Sequence, residues 1–204
     1  MPSSELIWYA AYGSNLDPAR FDVYLYGGRP DGGHRDYPGT RDAEAAKETR
    51  PTTLPGDVVF GWESPTWGGG VAFFDADASG EVPATAYLLT PRQFSDVVDQ
   101  EMWRAPGSDH DFGDVLSAGR SALGPGRYET VHRVGDLDGH PVLTFTADVL
   151  PPLNAPSPGY LATMARGLRD VHGLSDDEVL DVLLGRPGMR PTWDEESLRA
   201  ALEV

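Results

Sequence analysis

The sequence contains no cysteine and a single lysine, Lys47, among its 204 residues. Without cysteine the chain has no disulfide, no thiolate zinc site and no cysteine nucleophile. Because Lys47 is the only lysine, recognition of an anion depends on arginine side chains or backbone amides. Acidic residues outnumber basic ones by 32 to 16, and the formal charge of −16 repels phosphate groups. We therefore expect neither a nucleic-acid nor a membrane partner.

Long apolar runs are also missing from the sequence. None approaches the roughly 18 residues that a membrane-spanning helix needs. The first residues show neither the basic start nor the apolar core of a signal peptide, so we expect a cytoplasmic protein. A chain of 204 residues suits one domain, and we predict that residues 1–204 form it.

The stretch Tyr12-Gly13-Ser14-Asn15-Leu16 lies at a predicted boundary between a strand and a helix. Ile7 to Tyr9 are strand formers, and Asp17-Pro18 is typical of a helix start. Gly13 lets a ligand approach the main chain, so the amides from Gly13 to Leu16 can point into one concavity that favours a carboxylate or an oxyanion. The alternative is an ordinary corner in which Ser14 or Asn15 caps the helix.

These five residues resemble the signature of the γ-glutamylcyclotransferase-like family. The segment from Trp67 to Phe74 resembles the Trp-x-Gly-Gly segment of the family, and Pro156 to Tyr160 resembles its Pro-Ser-Pro-x-Tyr landmark. The resemblance covers about residues 6–173. It implies that Tyr160 faces the substrate pocket. From the residues alone, Tyr160 can equally be a half-buried tyrosine that anchors the start of a helix.

A second predicted helix follows the capping signal Thr90 to Gln93. Its apolar stripe contains Phe94, Val97, Val98 and Glu101. Residues Asp96, Asp99 and Gln100 are predicted on the opposite, polar side. Glu101 is thus a carboxylate on an apolar face, which indicates either a proton-transferring group or a glutamate paired with an arginine such as Arg104.

The segment Val97 to Met102 resembles the Leu-Asp-x-x-Glu-Gly segment that carries the catalytic glutamate of the family, and Glu101 is the matching position. Val98 and Met102 depart from that pattern. The resemblance implies that Glu101 moves a proton from the α-amine of a γ-glutamyl substrate. That amine attacks the γ-carbonyl and closes 5-oxoproline, and the resemblance implies no metal and no cofactor.

The rest of the chain predicts the scaffold. Residues 29–55 read as a long surface loop, residues 104–127 as an insertion, and residues 175–204 as C-terminal helices. Short strands around residues 58–60, 71–74 and 84–89 precede a predicted hairpin that turns at Asp138-Gly139. The fold implied by the resemblance is α+β, a small mixed β-barrel or curved sheet surrounded by helices.

Three hypotheses about function remain open at this point. The first is a metal-independent enzyme that cleaves a small γ-glutamyl amide, with Glu101 catalytic and with Tyr12, Gly13, Ser14, Asn15, Leu16 and Tyr160 binding the substrate. The second is a non-catalytic module of the same fold that binds a small acidic metabolite. The third is a structural domain in which Glu101 is salt-bridged. Neither the oligomeric state nor the group attached to the γ-carboxyl follows from the residues.

Overall fold

The computed structural model describes residues 6–30 and 35–203. The strands are β1 Ile7–Ala11, β2 Glu48–Pro55, β3 Asp57–Gly61, β4 Val71–Asp75, β5 Glu81–Leu89, β6 Arg120–Ala122, β7 Thr130–Leu137 and β8 His140–Thr146. The helices are α1 Pro18–Tyr26, α2 Pro91–Glu101, α3 Gly113–Ala118, α4 Pro158–Asp170, α5 Asp176–Leu184 and α6 Glu195–Ala201, and a turn of 3-10 helix covers Ser14–Leu16. The α+β class predicted from the sequence is confirmed.

Most strands belong to one mixed sheet with the order β2-β5-β1-β8-β7-β6. Strands β1 and β8 are parallel, and the other neighbours in this sheet are antiparallel. Strands β3 and β4 form a separate antiparallel hairpin. Among the described residues, no pairing joins the edge strands β2 and β6, so the sheet is curved but open. The curved-sheet prediction is therefore correct, and the barrel alternative is wrong.

Strand β1 lies in the middle of the sheet, between β5 and β8. All five of its residues are buried, which explains why its sequence is apolar throughout rather than alternating. The chain passes from β1 directly into the 3-10 turn Ser14–Leu16 and then into α1. The signature stretch is thus held at the end of the most enclosed strand.

Helix α2 is also covered on the side that was predicted to be polar. Asp96 and Gln100 have no exposed surface, and Asp99 is 5% exposed. The segment before β2 and the insertion both pack over this side. Arg41 donates from its Nε to Asp96 Oδ1 at 2.8 Å, and His110 Nε2 lies 2.8 Å from Asp99 Oδ1. The acidic side of α2 therefore anchors the segments that cover it.

The predicted loop at residues 29–55 ends in a strand that was missed, β2. This strand pairs along its length with β5 at the edge of the sheet. An edge strand tolerates Pro51 and Pro55, because one row of its backbone groups has no neighbour to bond. The insertion is likewise structured, since it contains α3 and β6. The hairpin of β7 and β8 turns at Asp138-Gly139, as predicted, with positive φ at both residues.

The C-terminal helices pack against α4, the helix that carries Tyr160. Helix α5 begins with a capping box of Ser175 and Glu178. The cap of α6 is Asp194, which accepts from the Ser197 amide. A single domain over residues 1–204 stays a prediction. None of the helices in the described ranges is long and apolar enough to cross a membrane.

Candidate active site

A narrow slot opens where β1 ends. It encloses about 50 Å³, while one water molecule needs roughly 10 to 15 Å³. Such a space suits a slender chain rather than a fused ring system. The site residues predicted from the sequence that line it are Tyr12, Gly13, Ser14, Asn15, Glu101 and Tyr160. Leu16 does not line the slot and is 1% exposed.

Side chains of β5 hold the loop of the slot in place. Tyr87 donates its hydroxyl hydrogen to the Asn15 carbonyl at 2.7 Å, and Thr85 donates to the Leu16 carbonyl at 2.8 Å. The Leu16 amide donates to the Gly13 carbonyl at 2.9 Å. Because that amide is used within the turn, the part of the loop left to face a ligand runs from Gly13 to Asn15.

Position 13 has no room for a side chain, so it requires glycine. Its φ of −109° is open to any residue, but a Cβ added there would lie 2.7 Å from the Tyr160 hydroxyl oxygen. That hydroxyl accepts a hydrogen bond from the Ala72 amide at 3.0 Å. Burial, opposed by this hydrogen bond, raises the pKa of Tyr160 to about 12. Tyr160 is therefore a protonated hydroxyl in contact with the loop, more deeply buried than an anchoring tyrosine at a helix start would be.

Glu101 ends α2 and projects into the slot opposite the loop. Tyr24 donates its hydroxyl hydrogen to Glu101 Oε1 at 2.5 Å, and Asn15 Nδ2 donates to the same oxygen at 3.4 Å. Arg104, the alternative partner considered from the sequence, instead donates to the carbonyls of Leu123 and Pro125. The salt bridges found within residues 6–30 and 35–203 do not include Glu101.

The tyrosines around Glu101 are suited to donate to its carboxylate. Burial, together with the negative charge of Glu101, raises the pKa of Tyr24 well above its ordinary value. The same two causes raise the pKa of Tyr9. Both phenols therefore stay protonated at neutral pH. Glu101 is thus held by two neutral hydrogen-bond donors, the hydroxyl of Tyr24 and the amide of Asn15.

Arg20 brings a positive charge to the slot that the sequence reasoning missed. It is 4% exposed, and its Nη2 donates to the Tyr37 hydroxyl at 2.9 Å. Its guanidinium carbon lies 4.6 Å from the ring centroids of both Tyr24 and Tyr37. Among residues 6–30 and 35–203, its Nε and Nη1 are buried and find no hydrogen-bond partner. Guanidinium donors of this kind suit an anionic ligand.

The signal for Arg20 was present in the sequence. Arg20 and Tyr24 lie one helical turn apart in α1, beside the apolar residues Phe21 and Leu25. An arginine on a buried helical face is as unusual as a glutamate on one. Glu101 was selected as a charged residue on the apolar face of a helix, and the same criterion would have selected Arg20.

The glycine run Gly68-Gly69-Gly70 connects Trp67 and Val71, both of which line the slot. A Cβ at Gly70 would lie 2.0 Å from the Asn154 carbonyl oxygen. Gly70 is therefore required for a close backbone contact. The run leads into β4, whose Ala72 carbonyl accepts from the Tyr128 hydroxyl at 2.8 Å. Trp67 and Tyr128 both line the slot.

Comparison with solved structures identifies the fold. An uncharacterised protein from Homo sapiens superposes with a TM-score of 0.54 at 17% identity, over 98% of this chain and 99% of that one. A γ-glutamyl cyclotransferase superposes with a TM-score of 0.53 at 17% identity, over the same shares of the two chains. This protein has the γ-glutamyl cyclotransferase fold. At this level of identity the likeness concerns the fold alone.

Sequence comparison gives a different relative. The chain is 31% identical to histone deacetylase 5 of Arabidopsis thaliana over an alignment of 209 residues. This alignment covers 89% of this chain and 31% of that protein. The chain thus spans less than a third of the length of the curated relative that it matches. No protein-family model matches the chain. Within the γ-glutamyl cyclotransferase fold, the roles of individual side chains therefore rest on the geometry of the slot.

Proposed function

We propose that this protein is a γ-glutamyl cyclotransferase, which cleaves a γ-glutamyl amide by intramolecular attack and releases 5-oxoproline and an amine. The observation that carries the proposal is the position of Glu101. Its carboxylate lies in a narrow slot, faces the loop from Gly13 to Asn15, and is held by Tyr24 and Asn15 rather than by a cation. General-base catalysis needs such a carboxylate within reach of the substrate.

The charges in the slot give the substrate an orientation. The α-carboxylate of the glutamyl group pairs with the free donors of Arg20 at the tyrosine-lined end. The γ-carbonyl oxygen faces the backbone from Gly13 to Asn15, which supports the charge that develops on that oxygen. The α-amine lies beside Glu101. The narrow slot folds the glutamyl chain, so the amine and the γ-carbonyl carbon are held close together.

The reaction then needs one proton carrier and no outside reactant. Glu101 accepts a proton from the α-amine as the nitrogen attacks the γ-carbonyl carbon. The resulting tetrahedral oxyanion collapses, the bond between the γ-carbon and the amide nitrogen breaks, and Glu101 returns the proton to the departing amine. The atoms of the amide are conserved as 5-oxoproline plus the free amine. Glu101 ends the cycle in the state in which it began.

The decisive experiment replaces the carboxylate with an amide of the same shape. We expect Glu101→Gln to retain the fold and to lower 5-oxoproline release from a panel of γ-glutamyl amides by about 10²-fold or more, since only proton transfer is lost. The amide oxygen still accepts from Tyr24, so the melting temperature should stay within about 2 °C of the wild type. The matched control is Glu196→Gln, at an exposed position in α6, which should change neither quantity.

Two other results separate the rival hypotheses. A binding module would bind γ-glutamyl compounds in both proteins, and neither protein would release 5-oxoproline. A structural glutamate would give a marked fall in melting temperature in Glu101→Gln with turnover otherwise intact. Either result would refute the catalytic role. Calorimetric titration, thermal unfolding and product release on the same preparations provide all three readouts.

A further inference from the structure

A second cavity adjoins the slot on the outer side of Glu101. It has a volume of about 210 Å³ and is lined by Trp62, Glu101, Met102, Trp103 and Arg127. Glu101 and Arg127 line both cavities, so the two spaces adjoin at these two residues. We call the outer cavity the tryptophan bay. If the glutamyl group occupies the narrow slot, the group attached to its γ-carboxyl leaves through the bay.

The two tryptophans are held in unusual backbone conformations. Trp62 follows β3 with a φ of 62°, and Trp103 follows α2 with a φ of 60°. Bulky residues rarely adopt this left-handed region, and such outliers concentrate at functional sites. Their rings meet edge to face at 6.3 Å between centroids. Trp103 lines the bay and remains 50% exposed, and the guanidinium carbon of Arg35 lies 5.0 Å from its ring centroid.

Arg127 adds a charge to this apolar wall. Its guanidinium carbon lies 4.1 Å from the centroid of the Trp62 ring and 5.3 Å from that of Trp103. Its Nε is buried without a hydrogen-bond partner, and no salt bridge of Arg127 occurs among the described residues. Stacking on the indole rings fixes the plane of the Arg127 guanidinium and leaves its N–H donors unused. A carboxylate is the group that such a fork binds best.

We propose that the tryptophan bay is the leaving-group subsite and selects amines that carry both an aromatic or large apolar side chain and a carboxylate. This inference rests on the proposed function. The indoles of Trp62 and Trp103 contact the side chain, and Arg127 pairs with the carboxylate. A leaving amine without the ring loses the apolar contact, and one without the carboxylate leaves Arg127 unpaired. Both features are therefore needed for efficient cleavage.

The test compares three substrates that differ by one group each. They are γ-glutamyl-phenylalanine, γ-glutamyl-phenethylamide, which lacks only the carboxylate, and γ-glutamyl-alanine, which lacks only the ring. In the wild-type protein we expect kcat/KM for 5-oxoproline release to be about tenfold or more higher for the first than for either of the others. This comparison needs no variant, so it does not depend on how a substitution folds.

Two variants then assign the preference to residues. Arg127→Gln should lower kcat/KM for γ-glutamyl-phenylalanine by about tenfold or more and leave γ-glutamyl-phenethylamide nearly unchanged. Trp103→Ala should lower kcat/KM for γ-glutamyl-phenylalanine and leave kcat/KM for γ-glutamyl-alanine nearly unchanged. The matched control is Arg120→Gln, since Arg120 is 51% exposed and pairs with Asp148 on the surface. It should change none of the three values.

The outcomes that contradict the inference are distinct from those that contradict the proposed function. If the wild-type protein cleaves the three compounds equally well, the tryptophan bay does not select the leaving group, and the proposed function stands. If Arg127→Gln lowers all three values alike, Arg127 does not read the carboxylate. Release of 5-oxoproline from none of the compounds would refute the proposed function and the subsite with it.

Discussion

Arg20 is a buried charge that forms no salt bridge among the described residues, and the Tyr24 hydroxyl, which accepts from its Nη2 at 3.4 Å, lies between it and Glu101. Burying an unpaired guanidinium costs free energy, and its contacts with Tyr24 and Tyr37 offset only part of that cost. A residue that served stability alone would bring a carboxylate with it, as Arg41 does with Asp96. The unused donors of Arg20 therefore support the proposal that it binds the α-carboxylate of the substrate.

We expect Arg20→Gln to raise KM for a γ-glutamyl substrate by about tenfold or more, because a charge-assisted hydrogen bond contributes roughly 1.5 to 3 kcal/mol. The free energy of unfolding should change by less than about 1 kcal/mol, since the buried charge disappears together with its contacts. Arg29→Gln is the control, because Arg29 forms an exposed pair with Asp36. A large loss of stability with unchanged KM would show that Arg20 is structural.

Single residues were predictable where they broke a local pattern. Glu101 lies on an apolar stripe and lines the slot. The stripe alone left open whether Glu101 transfers a proton or pairs with Arg104, and the family resemblance favoured the first. The partners of Glu101 were not predictable in this way. Tyr24 is 77 positions away and Asn15 is 86 positions away. Whether Glu101 faced Arg104 or the loop depended on how α1 and α2 pack, which no local pattern specifies.

At the scale of elements, helix α4 packs directly against the turn that carries the loop of the slot. Gly167 lies in the middle of α4, and a Cβ there would lie 2.3 Å from the Leu16 carbonyl carbon and 2.6 Å from the Asp17 nitrogen. The 3-10 turn therefore rests on the bare backbone of the helix. Because these atoms belong to the main chain, no side-chain rotation can make room for a methyl group.

We expect Gly167→Ala to lower the free energy of unfolding by about 1 to 3 kcal/mol, because overpacking outweighs the better helix propensity of alanine. It should also raise KM, since the turn that bears Gly13 to Asn15 must shift. The control lies in the same helix, where a Cβ at Gly159 meets nothing within 4 Å. Gly159→Ala should leave stability unchanged or slightly higher. Equal stabilities for the two variants in urea unfolding would contradict this account of the packing.

The elements were predictable where the chain carries its own start and stop signals. Helix α2 begins at the capping box of Thr90 and Gln93, and the β7-β8 turn uses Asp138-Gly139. Strand β2 was missed because Glu48 to Pro55 is polar and contains two prolines. It is a strand only because β5 supplies the partner for its whole length. Pairing with β5 imposes the strand conformation on this segment, and the strand propensities of its own residues do not indicate it.

At the scale of the whole molecule, the slot depends on a pairing between distant strands. Strand β1 runs parallel to β8, with Tyr9 opposite Leu143, and this pairing brings Tyr128 and Phe145 beside the signature loop. Parallel neighbours need a long connection between them. Here that connection contains β2 to β7 and α2, so it also delivers Glu101 and Arg127. The site is therefore a consequence of topology, whereas its individual residues lie on local motifs.

For the whole molecule, the free energy of unfolding should fall as the solution is acidified, because two histidines are half-buried. Burial lowers the pKa of His172, whose Nε2 finds no hydrogen-bond partner in the described part of the chain, and burial also lowers the pKa of His132. Above an unfolded pKa of about 6.5 both histidines are neutral in either state. Below it the unfolded chain takes up protons that the folded chain does not, so the free energy of unfolding falls as pH falls through 6.5 toward the folded values.

We therefore expect the free energy of unfolding, measured in urea from pH 7.5 to 5.5, to fall less steeply in His172→Gln than in the wild type. Carboxylates contribute to the same curve, and the net charge of −16 means that added protons also relieve repulsion. Those contributions are common to both proteins and cancel in the difference between the two curves. His140→Gln is the control, at the start of β8 beside the exposed turn of Asp138-Gly139. Parallel curves for the wild type and His172→Gln would exclude His172 as a source of the acid sensitivity.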